Sequence, residues 1–519
     1  MSAGGWMVVS VMLPLLVAAA VLVLPRKAAP VLGIAAASGT ALAAGAVARE
    51  VAFGGAFSYT LSGWEAPLGI ELRADGLSAI MLITTAAVGL AGSLYTASAP
   101  VAGPVGRPFR QNLEGASGTG ETRYPWTLML FFIGSLNALF LSGDAFNLYV
   151  SLELMGLSAA AMVCLGASRA AVAAGIRYLL VSLLGSLLYL LGVALLYGAY
   201  GTLELAGLAG AVESSWASWS ALALVVSGMA LKTGLVPLHF WISPAYSGAP
   251  APAAAVISGL AVKASFYIAL RFWFEVYGGE QAAPGAYALG VLGAVAVIWG
   301  GWQAIRQSRL AALLAYSSIS QAGYLFLVFP LAGAGAVSAG VALGAYSGVV
   351  YLAFSHALAK AAMFMAAGAL ALAAGSDRIS GLAGVADHRP LSVAALCLGG
   401  VTLMGLPPSG GFTAKVLLVE AAVDRGEWWI AVVVLGGGLI AALYVARFLG
   451  AAFGSPEAVR DGGEAGRDSF RRAPKPLRGR LLAMETVAVV LALASFFTGL
   501  TSGPLLDLAG VGAPFGGGG

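Results

Sequence analysis

From one end to the other, the chain is a succession of apolar runs about twenty residues long, separated by short charged or Gly/Pro-rich breaks. A run of that length matches the hydrocarbon core of a bilayer, where backbone polar groups must be satisfied internally, so only helices or closed barrels can cross it. The runs are continuous and do not alternate, which selects helices. With 60% hydrophobic and only 10% charged residues among 519, the expectation is an all-α integral membrane protein. Its apolar segments fall near 6–25, 30–49, 77–99, 125–143, 145–166, 174–199, 221–240, 251–274, 286–304, 311–330, 338–373, 391–423, 428–452 and 481–502, which makes about fourteen transmembrane helices.

Charge orients them. The first run has no cation ahead of it and Arg26 and Lys27 just behind it. A signal peptide carries its charge on the other flank, so this is read as a first span with the N-terminus outside. With that orientation, nineteen of the 27 basic residues fall on inner connections. Four (Arg49, Arg73, Arg271 and Arg425) fall at outer positions, beside acids such as Glu204, Glu213, Glu275 and Glu280. The bias is that of the positive-inside rule. The long stretches 100–124 and 454–480 read as mobile inner connections, and the tail GVGAPFGGGG reads as disordered and without a role. Cys164 and Cys397 lie far apart within apolar segments and read as packing residues.

The remaining four basic residues, Lys232, Lys263, Lys360 and Lys415, lie within spans, as do Glu153 and His356. An ionisable group at membrane depth costs several kcal/mol, by insertion scales ~3, and faces a protein interior or a wet cavity. Among these residues, only Lys360 stands where a long stem could reach a span end. A single such lysine could be a structural pin between helices. Four lysines against one clear buried glutamate cannot all be neutralised by acids, and a lysine that spends time uncharged can take up and release protons. The set is therefore read as a proton relay. His356 and Lys360 are four residues apart, on one helix face, where a proton can pass directly or through a water. Ser317, Gln321 and Tyr324 form a polar stripe along the tenth span, which either holds water or bonds neighbouring helices.

Two spans are broken. The seventh, GMALKTGLVPLHFW, has Gly234 and Pro237 after Lys232; the twelfth has LPPSGG at 406–411 before Lys415. Interrupted helices are tolerated at membrane depth only where protein or water covers the freed backbone, and breaks at corresponding places in two halves point to a repeat. Spans four to eight and nine to thirteen would be two such units, inverted because each holds an odd number of crossings. This divides the chain into three N-terminal spans (1–124), a first repeat (125–276), a second repeat (277–453) and a charged loop, last span and Gly-rich tail (454–519). No cysteine cluster, haem-spaced histidine pair, P-loop or dinucleotide fingerprint is present, so no cofactor, metal or redox centre of its own is expected. Energy would come from an ion gradient or a partner subunit.

The segments GDAFNLYVSLELMG, YLLVSLLGSLLYLLGVALLYGAYGTLELAGLA, KTGLVPLHFWISPAYSGAPAP, LLAYSSISQAGY, SHALAKAAMFMAAG and GLPPSGGFTAK occur in order between about 70 and 450. They resemble the motifs of the proton-conducting antiporter-like subunits found in Mrp cation/proton antiporters, in respiratory complex I and in membrane-bound hydrogenases. GDAFNLYV and YGTLELAGLA look most like the Mrp D-type subunit and the related hydrogenase subunits. The resemblance implies fourteen helices in two inverted five-helix repeats with broken seventh and twelfth helices. It further implies that Glu153 pairs with Lys232, that Lys263 is a relay lysine, that His356 and Lys360 bridge two half-channels, and that Lys415 serves the outer half-channel. Two positions depart from the pattern: an alanine precedes Lys360 where an aromatic is common, and Arg309 stands where lysine is common. Neither removes a titratable group.

The function expected is proton translocation in a multisubunit sodium/proton antiporter of a prokaryotic cell membrane, with a complex I-like or hydrogenase membrane arm as the alternative. Expected partners are other membrane subunits, the lipid bilayer, protons and, in the antiporter, sodium; nucleic acid is not among them. Whether the assembly is an enzyme depends on those partners. A free-standing solute transporter is disfavoured, because the polar residues are spread in a chain across the bundle.

Overall fold

The structure is a computed structural model that describes residues 2–61, 69–99, 123–278, 283–335, 337–454 and 475–515. The sequence-expected inner stretch 100–124 lies almost entirely outside these residues, as does most of 454–480, and with them Arg107, Arg110, Arg460, Arg467, Arg471 and Arg472.

Among the described residues, twelve helices are long and apolar enough to cross a membrane. Spans one to six are Ala3–Val23, Arg26–Gly54, Gly76–Ser98, Arg123–Leu141, Ala145–Cys164 and Arg169–Tyr200. Spans eight to eleven are Ala251–Val276, Ala283–Arg306, Leu310–Ala332 and Ala339–Ala374; spans thirteen and fourteen are Trp428–Phe453 and Arg478–Thr501. The seventh and twelfth are each made of two shorter helices, Trp216–Thr233 with Ile242–Gly248 and Pro390–Met404 with Gly410–Asp424. The crossings number fourteen, as the hydropathy of the sequence implies. Each broken span is the fourth of its five-span unit, and four crossings lie between it and its counterpart, so the two run in opposite senses.

The helices begin and end for local reasons. Asp75, Asp144, Ser168 and Ser215 precede spans three, five, six and seven, and each side chain accepts a hydrogen bond from an orphan backbone N–H of the first turn. At both breaks a glycine leaves the helix in the left-handed region, Gly234 at φ +70° and Gly405 at φ +77°. Prolines follow directly, Pro237 in one and Pro407 and Pro408 in the other, and lack the N–H that resuming the helix would use.

Burial sorts the spans. The apolar window of span eight is wholly inside the bundle and that of span ten 94% inside, whereas spans one and thirteen bury only 28% and 39%. Spans eight, ten and eleven are thus the axis, and the polar residues on them are withdrawn from lipid. A short antiparallel pair, Phe57–Thr60 with Glu71–Ala74, closes the end of the bundle where span three begins.

The glycine-rich tail departs from expectation. Its first residues are ordered: the Val511 carbonyl accepts from Gly76 N at 2.8 Å, and the Phe515 ring lies 5.2 Å from that of Phe274 and 5.7 Å from that of Tyr346. One aromatic anchor and one backbone bond hold a segment whose composition alone reads as disorder. Gly76 is needed there, since a Cβ would stand 1.8 Å from the Leu508 carbonyl oxygen. Residues 516–519 lie outside the described residues.

Candidate proton-translocation site

Lys232 occupies the last turn of the first half of span seven and is buried. Spans six and seven cross closely there, because Gly185 and Gly228 face one another: a Cβ on Gly228 would stand 2.4 Å from the Gly185 carbonyl oxygen. The lysine stem lies over Gly185 and its Nζ donates to Ser186 Oγ at 2.6 Å. Glu153 Oε1 of span five is 3.9 Å from the same Nζ, within ion-pair range and beyond hydrogen-bond reach. That oxygen is buried with no hydrogen-bond partner, while the Glu153 side chain as a whole keeps 17% of its surface exposed at the edge of the bundle. A cavity with ≈ 10 Å³ open to a water's centre adjoins Lys232, lined also by Ser182, Tyr178 and Trp241. That is room for about one water.

On the axis, Lys263 of span eight is buried and its Nζ donates to the Ser258 carbonyl at 3.3 Å, on its own helix. His356 of span eleven is buried, and neither ring nitrogen has a hydrogen-bond partner. It stands within electrostatic range of Lys263, Lys360 and Lys415. Lys360, one turn on, is fully buried, and the sequence-level allowance that its stem could reach a span end does not hold. The bonds it makes point inward, to the Leu314 carbonyl at 2.5 Å and Ser317 Oγ at 2.7 Å on span ten. Its Nζ also lies 5.6 Å from the centre of the Phe364 ring.

Lys415 reaches back across the second break. Its Nζ donates to the Leu403 and Met404 carbonyls at 2.9 and 3.2 Å, the freed carbonyls at the end of the first half of span twelve, where the helix dipole is negative. Gln321 Nε2 donates to the same Leu403 carbonyl at 3.0 Å, and the Tyr324 ring lies 4.5 Å from the lysine nitrogen. The stripe on span ten therefore bonds neighbouring helices directly, with Ser317 at Lys360 and Gln321 and Tyr324 at Lys415. One helix face joins the two lysines.

Sequence reasoning missed several partners. Ser186 is one serine among many in apolar spans and carries no signal by itself. Glu153 is not the sole carboxylate inside the bundle, because Glu485 of span fourteen is also buried, with Ser392 and Arg389 as neighbours. Arg271, read from sequence as a cation at an outer helix end, is buried in a charge cluster. It donates to Asp75 through both terminal nitrogens, at 2.5 and 2.7 Å, and to Glu275, Ser78 and Tyr267 at 3.0–3.1 Å. Arg73 pairs with Glu275 in the same cluster. Burial works to raise the Asp75 carboxyl, but the Arg271 guanidinium, together with Arg73 and the Ser78 N–H, outweighs it and holds the group below the usual carboxylate range. His239, beyond the first break, accepts from Trp299 Nε1 at 3.2 Å on Nε2.

Residues 142–441 match the family described as NADH:quinone oxidoreductase/Mrp antiporter, transmembrane. The chain is similar to NADH-quinone oxidoreductase subunit N of Desulforudis audaxviator, 34% identical over 85% of this chain and 84% of that protein. It is also similar to the D-type subunit of the Na(+)/H(+) antiporter of Alkalihalophilus pseudofirmus, 28% identical over 73% and 72%. Among solved structures, a chain of the Mrp complex from Dietzia sp. DQ12-45-1b superposes with a TM-score of 0.82 at 26% identity, over 98% of this chain and 96% of that one.

Proposed function

Because the chain belongs to the NADH:quinone oxidoreductase/Mrp antiporter transmembrane family, we propose that it is a proton-translocating subunit of a multisubunit monovalent cation/proton antiporter. It works among other membrane subunits in a prokaryotic plasma membrane, with its N-terminus outside. The observation that carries this reading is the set of buried ionisable groups Lys232, Lys263, His356, Lys360 and Lys415, with the half-buried Glu153 beside the first of them.

The step is Coulombic. At 3.9 Å and an effective dielectric near 20, the attraction between the Glu153 carboxylate and the Lys232 ammonium is on the order of 4 kcal/mol. Drawing the two apart weakens Lys232's hold on its proton by up to roughly a thousandfold, enough to send it to Lys263. From there His356, whose nitrogens have no other partner, passes it to Lys360, and the span-ten face carries the connection to Lys415. The two repeats, 125–276 and 277–453, each supply one half of the route.

Alanine at Glu153 or Lys232 is expected to abolish coupled proton flux in inverted vesicles while the chain stays inserted and assembled. Retained flux in either variant rules the relay out. A second reading, a proton-pumping subunit in the membrane arm of a redox complex, is favoured by the similarity to a quinone oxidoreductase subunit. Affinity purification of the native assembly separates the two, since iron–sulfur subunits accompany the chain only in the redox complex.

A further inference from the structure

Glu485 lies seven residues into span fourteen, Arg478–Thr501, and only 3% of its surface is exposed. Carboxylates at such depth are found where they are paired or at work. Its Oε1 accepts from Ser392 Oγ at 3.1 Å, and its Oε2 lies 4.0 Å from Arg389 Nη1. The second contact exceeds hydrogen-bond length, so the guanidinium favours the carboxylate without fixing it in place. Arg389 stands just before span twelve begins, and its side chain retains 13% exposure at that end of the bundle. Also within electrostatic range of Glu485 is the buried hydroxyl of Tyr95 from span three. That hydroxyl donates to the Met365 carbonyl of span eleven at 2.8 Å, and Gly368 makes room for it, since a Cβ there would stand 2.8 Å away. Met365 is five residues from Lys360, about 7.5 Å along the helix. Among the described residues, Arg389 at the start of span twelve and Tyr95 of span three are ionisable groups that act on Glu485. The ionisable residues of span eleven, His356 and Lys360, lie deeper, and Lys415 lies beyond the break.

Building on the relay reading, we propose that Glu485 is the inner-side carboxyl of the second half of the bundle, exchanging protons between the inner aqueous phase and Lys360 along the seam that Tyr95 occupies. The protonated carboxyl gives its proton, by way of water in that seam, to the neutral Lys360 amine, leaving a carboxylate and an ammonium. Arg389 and Ser392 stabilise the carboxylate left behind, and a proton from the inner surface restores the acid.

The test uses the assembled complex in inverted vesicles, whose bath faces the inner side. Glu485→Gln is expected to lower proton flux at least tenfold and to flatten its dependence on bath pH. Glu485→Asp keeps that dependence, and Arg389→Gln moves its midpoint to higher pH, because the carboxyl loses a stabilising cation. Lys360→Ala serves as the control for the relay itself. If Lys360→Ala is inactive while Glu485→Gln runs at full rate with an unchanged profile, this inference fails and the relay stands. An active Lys360→Ala sinks the relay. Equal losses in Glu485→Gln and Ser392→Ala with an unchanged pH profile mean a structural brace and also overturn the proposal. A measurement on the unaltered protein covers variants that fail to assemble: dicyclohexylcarbodiimide, which modifies protonated carboxyls in apolar surroundings, is expected to label Glu485 at low bath pH and progressively less as pH rises. Absence of labelling at every pH counts against the proposal.

Discussion

A methyl group on Gly185 would sit 2.7 Å from Lys232 Cγ and 2.9 Å from the Gly228 carbonyl oxygen. Gly185→Ala therefore has to push the lysine stem aside or force spans six and seven away from each other, a clash of the kind that costs about 1–3 kcal/mol. Lowered proton flux in a variant that still assembles is the expected result, scored by vesicle assay beside a membrane blot. Gly405→Ala meets two penalties at once, a left-handed φ of +77° and a Cβ 2.5 Å from Lys415 Cδ. The backbone penalty alone costs roughly 1–2 kcal/mol, and displacement of Lys415 from its two carbonyls should cut flux further than the loss of protein explains. At this scale the sequence was legible wherever a residue type is out of place. A lysine in an apolar run declares itself, and so does a glycine followed by prolines. Ser186 and Ser317 do not, since a serine in a membrane helix usually bonds its own backbone. Glu485 is also silent, because it follows Arg478 and Arg480 closely enough to read as belonging to a charged helix end.

At the scale of elements, the apolar runs and the two breaks could be read directly, since both follow from local chemistry. The charge cluster around Arg271 could not, because Asp75 is 196 residues away in sequence and each charge by itself looks like an ordinary helix-end residue. The cluster ties the start of span three to the end of span eight. Arg271→Ala leaves Asp75 buried without its main partner, a change that typically costs 3–5 kcal/mol, and it is expected to lower the midpoint of thermal unfolding in detergent. Replacing Asp75 and Arg271 together with alanine should recover some of that loss. The sign of the pH effect also follows. A carboxyl held below its usual range contributes stability at every pH above that range and loses it only as pH falls through its folded value. The tie should therefore be constant across neutral pH.

For the whole molecule, the charge bias sets an orientation that labelling can check. In a background lacking Cys164 and Cys397, Ser214→Cys is expected to react with an impermeant thiol reagent in intact cells and Asp387→Cys only after the membrane is opened; both positions are exposed at connections between spans. The reverse pattern would invert the topology and, with it, the sides assigned to the two proposed half-channels. The tail shows where composition misleads at this scale. Glycine content signals low packing energy, but it does not register that Phe515 reaches the rings of Phe274 and Tyr346.

The hold of Lys415 on the Leu403 and Met404 carbonyls has a mechanical side. The nitrogen that would carry the proton is also the clasp between the two halves of span twelve, and it shares one of its two anchor points with Gln321. Discharging that nitrogen slackens the clasp while Gln321 keeps its grip. If the proposed relay holds, the proton's arrival and departure at Lys415 would tighten and loosen the join between the two halves of span twelve.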